Sequence, residues 1–232
     1  MRLGIIGRGP WGDVYAKTLT KMGVRYTQVG SNEDVFVDGD VDGVIIASAP
    51  KSHYVLARKY IREFLPALIE KPVCLSSEQA KYLLKLAGNT GCSIVFAGHT
   101  RLYSIAWRAL KANALAEGVR SVYAVAGSFD CKLSPLWDWG SHLVAMCLDL
   151  GFDPLKAHIL TGTEEQPLKV IVNGTITYTD QPETPTPLEV LLTEFMAAIE
   201  KGGPDIRGLE FGVKVVETLE VMEQETAALY GT

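Results

Sequence analysis

Asp138 and His142 stand four residues apart in the stretch Asp-Trp-Gly-Ser-His, and their types suit proton transfer. An imidazole titrates near neutral pH, so it can take a proton from, or return one to, a reacting oxygen. At helical spacing a carboxylate on the same face either orients that ring or binds a second hydroxyl. A second pattern, Gly7-x-Gly9-x-x-Gly12, lies between an apolar run and a helical one. In that context the first glycine permits a tight turn, the second lets backbone approach a pyrophosphate, and the third allows close helix–strand packing. The helix that follows offers unpaired N–H groups and its positive dipole end to phosphates. Arg8, Pro10 and Trp11 fill the rest of this loop and are assigned with it to cofactor binding.

A dinucleotide pattern expects Asp or Glu at the end of the second strand, where the acid holds the ribose 2′-hydroxyl. Here the stretch Val29-Gly30-Ser31-Asn32-Glu33-Asp34 puts Ser31 and Asn32 in that place, with Arg8 inside the glycine loop. Small hydroxyl and amide groups beside an arginine suit a 2′-phosphate, so the expected cofactor is NAD or NADP, with NADP favoured. Glu33 or Asp34 reaching the ribose, and a plain polar turn, stay open as alternatives. Taken singly, Lys71 reads as a solvated strand-end lysine, and the Asp138/His142 pair as a helix cap with a surface neighbour. His99 ends a fifth strand, on the edge where open α/β sheets bind ligands, and is a substrate or cofactor contact on that ground. His158 starts a strand and reads as structural.

The scaffold for these residues is an α/β one. Short apolar runs at Leu3–Gly7, Arg25–Val29, Gly43–Ala47, Ala67–Ile69 and Ser93–Ala97 alternate with helical patterns, the signature of a parallel sheet with crossover helices. Tyr15, Leu19 and Met22 share one face of the first helix, and Ala80, Leu83, Leu84 and Ala87 one face of a later helix. That later helix opens on the capping box Ser76-x-x-Gln79, and Gly88 stands where a left-handed C-cap is expected. Beyond roughly residue 118 the texture becomes β-rich, with runs at Ser121–Ser128, His158–Gly162, Leu168–Val172 and Thr175–Thr179. Asn173-Gly174 between the last two is a strong hairpin signal. Thr186-Pro187-Leu188-Glu189 caps a closing helix whose stripe is Leu188, Leu191, Leu192, Phe195 and Ile199. The expected fold is α/β: a doubly wound Rossmann domain over 1–118, then a small α+β domain over 119–232 with an open, mostly antiparallel sheet. The closing helices have the option of packing back on the first domain.

Composition narrows the function classes. The chain has 232 residues, 47% hydrophobic and 21% charged, which is ordinary for a globular protein able to bury a sizeable core. A net charge of −5 with no Lys/Arg cluster lacks the electrostatic footprint of a nucleic-acid surface. The N-terminal apolar run is too short for a signal peptide and no segment is long enough to span a bilayer, so a cytoplasmic protein with no membrane partner is expected. Cys74, Cys92, Cys131 and Cys147 stand singly, without metal-ligand or disulfide spacing, and read as buried free thiols; no metal is expected.

Three further stretches, "VDGVIIASAPKSHYVLA" at 41–57, "IEKPVCLSSEQA" at 69–80 and "DWGSH" at 138–142, join the glycine motif in a pattern that resembles the Gfo/Idh/MocA family, named for glucose-fructose oxidoreductase and inositol dehydrogenase. "AGHTRLYSIAWRAL" at 97–110 is similar to the family's segment leading into its second domain. The resemblance implies a Rossmann domain and a second domain whose open sheet carries substrate on one face and often packs against another subunit, so a homodimer through that sheet is an option. It implies that Glu70-Lys71-Pro72 places Lys71 by the nicotinamide and the reacting substrate oxygen, with Glu70 in the cofactor site. Asp138 and His142 match the family's Asp-x-x-x-His pair, whose histidine is the general acid or base, and Ala49, Pro50 and His53 match the loop beside the cofactor. Family members commonly carry a larger sheet between the positions of His142 and Thr186, where this chain has about forty residues.

The expected function is therefore an NAD(P)-dependent oxidoreductase acting on a small sugar- or polyol-like substrate, with Lys71, Asp138 and His142 catalytic and His99 a further substrate contact. The alternatives are a reductase of a carbonyl, imine or tetrapyrrole, and a dinucleotide-binding sensor without chemistry.

Overall fold

The computed structural model describes residues 1–31, 40–90, 93–128 and 133–230. By contact the chain falls into two units, Met1–Gly98 with Leu188–Lys214, and His99–Pro187 with Val215–Thr232.

The first unit holds β1 (Arg2–Ile6), α1 (Pro10–Lys21), β2 (Arg25–Val29), β3 (Gly43–Ile46), α2 (Pro50–Arg62), β4 (Ala67–Glu70), α3 (Ser77–Thr90) and β5 (Val95–Gly98). Its five strands form one parallel sheet in the order β2-β1-β3-β4-β5. Ile5, Ile6, Ile45, Ile46, Leu68 and Ile69 are wholly buried, as the central strands of a parallel sheet covered on both faces require. Tyr15 and Leu19 of α1 and Leu56, Ala57, Tyr60 and Ile61 of α2 are buried with them. Two late elements join the unit: α6 (Pro187–Lys201), and the first turns of α7 (Arg207–Tyr230). Phe195 of α6 meets Phe96 of β5 edge to face, with ring centroids 5.4 Å apart.

Thr186 precedes α6 and Pro187 opens it, as the capping pattern predicts. Gly88 departs from expectation. The helix α3 runs through it to Thr90 and it keeps no left-handed backbone. A side chain there would meet nothing, so this is an open surface position where a helix tolerates glycine for about 1 kcal/mol.

The second unit holds α4 (Ile105–Glu117), β6 (Val122–Gly127), α5 (Ser141–Asp149), β7 (His158–Gly162), β8 (Gln166–Val172) and β9 (Ile176–Thr179), with the rest of α7. The strand order is β7-β6-β8-β9; β6 pairs parallel with β7, and the other two pairings are antiparallel. The β8–β9 hairpin turns on Asn173 and Gly174, both left-handed at φ 54° and 77°, which is why this dipeptide suits the turn. The Asn173 carboxamide also accepts from Arg120 N at 2.8 Å and donates to Gly118 O at 2.9 Å. Leu168, Val170 and Val172 alternate inward and pack with Val122 and Ala124 against Trp107 and Leu110 of α4 and Leu143 and Met146 of α5. Trp107 Nε1 donates to Asp149 at 2.9 Å, and Lys111 takes the other carboxylate oxygen at 2.6 Å. Cys74 and Cys147 are buried and in no disulfide, as expected, and burial pushes the Cys147 thiol up to about 12; Cys92 and Cys131 lie outside the described residues. Among the described residues no helix is long and apolar enough to cross a membrane.

Candidate functional site

In the first sheet the strand order reverses between β1 and β3, and the carboxyl ends of those two strands are where an open α/β sheet makes its ligand crevice. The turn after β1 holds Gly7 at φ +131°, and an added Cβ there would lie 2.3 Å from Ala47 O and 2.9 Å from Ser48 N. Gly7 therefore lets the two turns touch. A Cβ on Gly12 would lie 2.1 Å from Gly7 O, so Gly12 lets α1 start against the strand. Gln28 of β2 braces the turn, its Nε2 donating to Gly7 O at 2.9 Å and to Asp13 Oδ1 at 3.2 Å.

Gly9 behaves differently. It is the N-cap of α1, with no side-chain cap on the helix, Pro10 in the first turn, and nothing within 4 Å of an added Cβ. No internal packing asks for glycine here. Its missing side chain leaves room beside unpaired N–H groups at a helix N-terminus, which is the shape and polarity a pyrophosphate needs, so the residues present fit a dinucleotide. Arg8, Gly9, Pro10 and Trp11 are exposed around that room. Ser31 is exposed two residues beyond the end of β2, whose Val29 O accepts from Gly7 N at 2.8 Å. Asn32, Glu33 and Asp34 lie outside the described residues.

The turn after β3 carries Ser48, Ala49 and Pro50 into α2, again without a side-chain cap. Ser48 and Ser52 share a hydrogen bond at 2.7 Å. His53, one turn on, is buried, with Nδ1 2.8 Å from Pro72 O and Nε2 3.0 Å from Ser48 O. Burial holds its pKa below the usual histidine range and the charge of Lys71 adds to that, while the two carbonyls pull the other way. Beside it β4 ends on Glu70, and Lys71 follows. The Glu70 carboxylate is buried, accepting from the Tyr15 hydroxyl at 2.6 Å and from Lys71 N at 3.0 Å, and it turns inward to hold the strand end. Lys71 is half-buried and precedes Pro72 through a cis peptide.

The first unit thus brings together Gly7, Arg8, Gly9, Pro10, Trp11, Gly12, Ser31, Ala49, Pro50, His53, Glu70 and Lys71. The remaining predicted residues belong to the second unit. His99 is buried and leads into a 3-10 turn, Thr100–Tyr103, which lies against α5. Asp138 lies in a π turn, Leu136–Gly140, and His142 is the second residue of α5. The α-helix expected to carry both therefore begins only at Ser141, whose hydroxyl donates to Asp138 O at 2.7 Å. His142 is buried beside Trp139, ring centroids 5.9 Å apart, and Trp137 Nε1 anchors the π turn on Glu223 at 2.9 Å. A π turn placed next to a candidate proton-transfer residue is a common functional context.

Sequence reasoning missed three supports of the cofactor turn. Gln28, Ser48 and the Tyr15 hydroxyl have partners set by strand order, and no local spacing marks them.

The fold has counterparts among solved structures. Residues 16–99 match the Gfo/Idh/MocA model, an oxidoreductase family with an NAD-binding Rossmann fold. A crystal structure assigned as an oxidoreductase from Magnetospirillum magnetotacticum MS-1 is 25% identical with a TM-score of 0.79, over 95% of this chain and 98% of that one. The WlbA (WbpB) dehydrogenase from Thermus thermophilus, solved with NAD and UDP-GlcNAcA, is 16% identical with a TM-score of 0.73, over 96% of this chain and 94% of that one. A myo-inositol dehydrogenase from Corynebacterium glutamicum ATCC 13032 is 15% identical with a TM-score of 0.69, over 95% of this chain and 94% of that one. No curated protein sequence matches the chain significantly.

Proposed function

We propose that this chain, a member of the Gfo/Idh/MocA family of NAD-binding oxidoreductases, transfers a hydride between a nicotinamide cofactor and the carbinol carbon of a small sugar or polyol. The observation that carries the reading is the room above Gly9, where the fold needs no glycine and a pyrophosphate does. The nicotinamide ring supplies the hydride acceptor or donor when bound. The chain's own residues manage the proton and the charge. His142 takes the hydroxyl proton on oxidation and returns it on reduction. The Lys71 ammonium holds the charge that develops on the substrate oxygen. Asp138 orients the imidazole or binds a neighbouring hydroxyl, and His99 contacts the substrate. The substrate class is supported by the names of structural relatives, a myo-inositol dehydrogenase and a dehydrogenase solved with a nucleotide sugar.

The finer readings belong to the same proposal. Arg8 and Ser31, both exposed at the end of the cradle, suit the 2′-phosphate of NADP. The protein works in the cytoplasm, where Cys74 and Cys147 stay reduced, and pairs through the open face of its second sheet, where Leu160 is half exposed.

A thermal-shift panel with NAD, NADP and their reduced forms tests the cofactor, and a sugar and polyol panel with the stabilising cofactor tests the reaction. A cofactor held at 100 times its Kd adds about 2.7 kcal/mol, which the scan resolves. No shift with any dinucleotide overturns the reading. A shift with no turnover on carbonyl or alcohol substrates points instead to a sensor.

A further inference from the structure

His53 is a buried ring of the first unit whose two nitrogens both meet backbone carbonyls, and those carbonyls belong to different strand ends. Nε2 lies 3.0 Å from Ser48 O, in the turn after β3, and Nδ1 lies 2.8 Å from Pro72 O, just beyond Lys71. The Ser48 turn is itself pressed on the glycine turn, since a Cβ on Gly7 would lie 2.9 Å from Ser48 N. On the other side Glu70 grips Lys71 N at 3.0 Å and the Tyr15 hydroxyl of α1 at 2.6 Å. The contacts close a circuit: glycine turn, Ser48 turn, His53, Pro72, Lys71, Glu70, Tyr15 and back to the helix that follows the glycine turn.

We infer that His53 is a positioning residue: without touching cofactor or substrate, it clasps the dinucleotide turn at Ser48 to the Lys71–Pro72 segment and so fixes where Lys71 is presented. This rests on the dinucleotide reading of the cradle. A carbonyl only accepts, so each contact needs an N–H. The neutral ring, the form that burial favours, has one such donor and shares it between the two carbonyls through its two tautomers. The two grips are therefore separable. An asparagine amide nitrogen stands two bonds from Cβ, like Nδ1, and keeps the donor toward Pro72. A glutamine amide nitrogen stands three bonds from Cβ, like Nε2, and keeps the donor toward Ser48.

The test uses the whole chain with NADH and NADPH titrated by fluorescence, and the rate of Lys71 reductive methylation in the cofactor-free protein, mapped by mass spectrometry with Lys85 as internal control. The clasp predicts a crossed pattern. His53→Gln keeps dinucleotide Kd within about threefold of wild type and changes the Lys71 labelling rate about threefold or more. His53→Asn keeps the labelling rate and weakens binding about fivefold, less than the loss of a full-time buried hydrogen bond because the ring's one donor is shared. Variants that move both readouts by the same factor, or neither, overturn the clasp and leave His53 a plain packing residue. A wild-type protein that binds neither NADH nor NADPH overturns the dinucleotide reading, and the clasp with it. Circular dichroism confirms that each amide variant is folded before it is scored.

Discussion

The Tyr15 hydroxyl donates to Glu70 Oε1 at 2.6 Å, a buried bond between the first helix of the cofactor turn and the strand end that carries Lys71. A hydrogen bond to a charged partner is worth about 1.5–3 kcal/mol net, and removing the donor leaves carboxylate charge poorly matched. Tyr15→Phe is therefore expected to destabilise the protein by that amount. A chain of this size loses about 2–4 °C in Tm per kcal/mol. An unchanged melting curve would mean that other partners suffice for Glu70.

The three glycines of the cofactor turn separate packing from binding. Gly9→Val adds a side chain where the fold has room, so it should abolish NAD(P) binding with Tm within a few degrees of wild type. Gly12→Val forces carbon against Gly7 O, at 2.1 Å for Cβ alone, and should destabilise the chain whatever the ligand. Wild-type dinucleotide affinity in a folded Gly9→Val variant would show that the phosphates lie elsewhere.

His53 gives a pH signature with a definite sign. Its folded pKa lies below the ordinary 6.5, chiefly through burial, so below that pH the unfolded chain binds the proton more readily than the folded one. Its share of stability is complete above about 6.5 and is lost as pH falls through the folded value, at up to about 1.4 kcal/mol per pH unit. Chemical denaturation of wild type and His53→Gln from pH 7.5 downward isolates the share, because other groups cancel in the difference. The stability gap between the two proteins should narrow on acidification. A gap that widens means the ring is charged in the fold.

Much of this architecture is legible in the sequence because it is local. Apolar runs mark the central strands, and Asn173-Gly174 marks its own hairpin, since the left-handed turn demands those residue types. The unread parts are those where distant chain segments meet. Trp107, Leu110 and Ala114 give α4 a clear buried face, yet periodicity is silent on which sheet that face meets, and they pack on the second. The N-terminus of α4 is capped by Ser104 and by Glu183, whose carboxylate accepts from Ile105 N at 2.9 Å across 78 residues of chain. At the candidate site, Gly7, Gly9 and Gly12 are readable as a motif, but their division into two packing glycines and one open one needs the atoms. His53 looks from sequence like a loop residue beside the cofactor, and only the folded chain puts its two nitrogens on Ser48 and Pro72.

Cofactor choice should follow the end of β2. Ser31 is exposed there, and Ser31→Asp sets a negative charge where a 2′-phosphate is expected. NADP binding should weaken at least about tenfold more than NAD binding, a difference of about 1.4 kcal/mol. Paired titrations of both dinucleotides decide it, and equal losses would remove Ser31 from the ribose site.

His142 is the residue on which the proposed chemistry most depends. It is buried at the start of α5, beside Trp139 and directly after the π turn that holds Asp138. A positioned general acid or base typically contributes about 10²–10⁴ in rate. His142→Asn should therefore lose that much in kcat while dinucleotide Kd, read by fluorescence, stays within about twofold, because the cradle residues belong to the first unit. Lys71→Ala should lower kcat as well. If both side chains act on one substrate oxygen, the double variant loses less than the product of the single losses, since removing the first partner already weakens what the second can do. The pH profile gives a second check: the limb that reports the proton-transfer group should vanish in His142→Asn and persist in Lys71→Ala. Turnover within a few-fold of wild type in His142→Asn would move the proton transfer to another group, with Lys71, or Asp138 through a water, next to be tested.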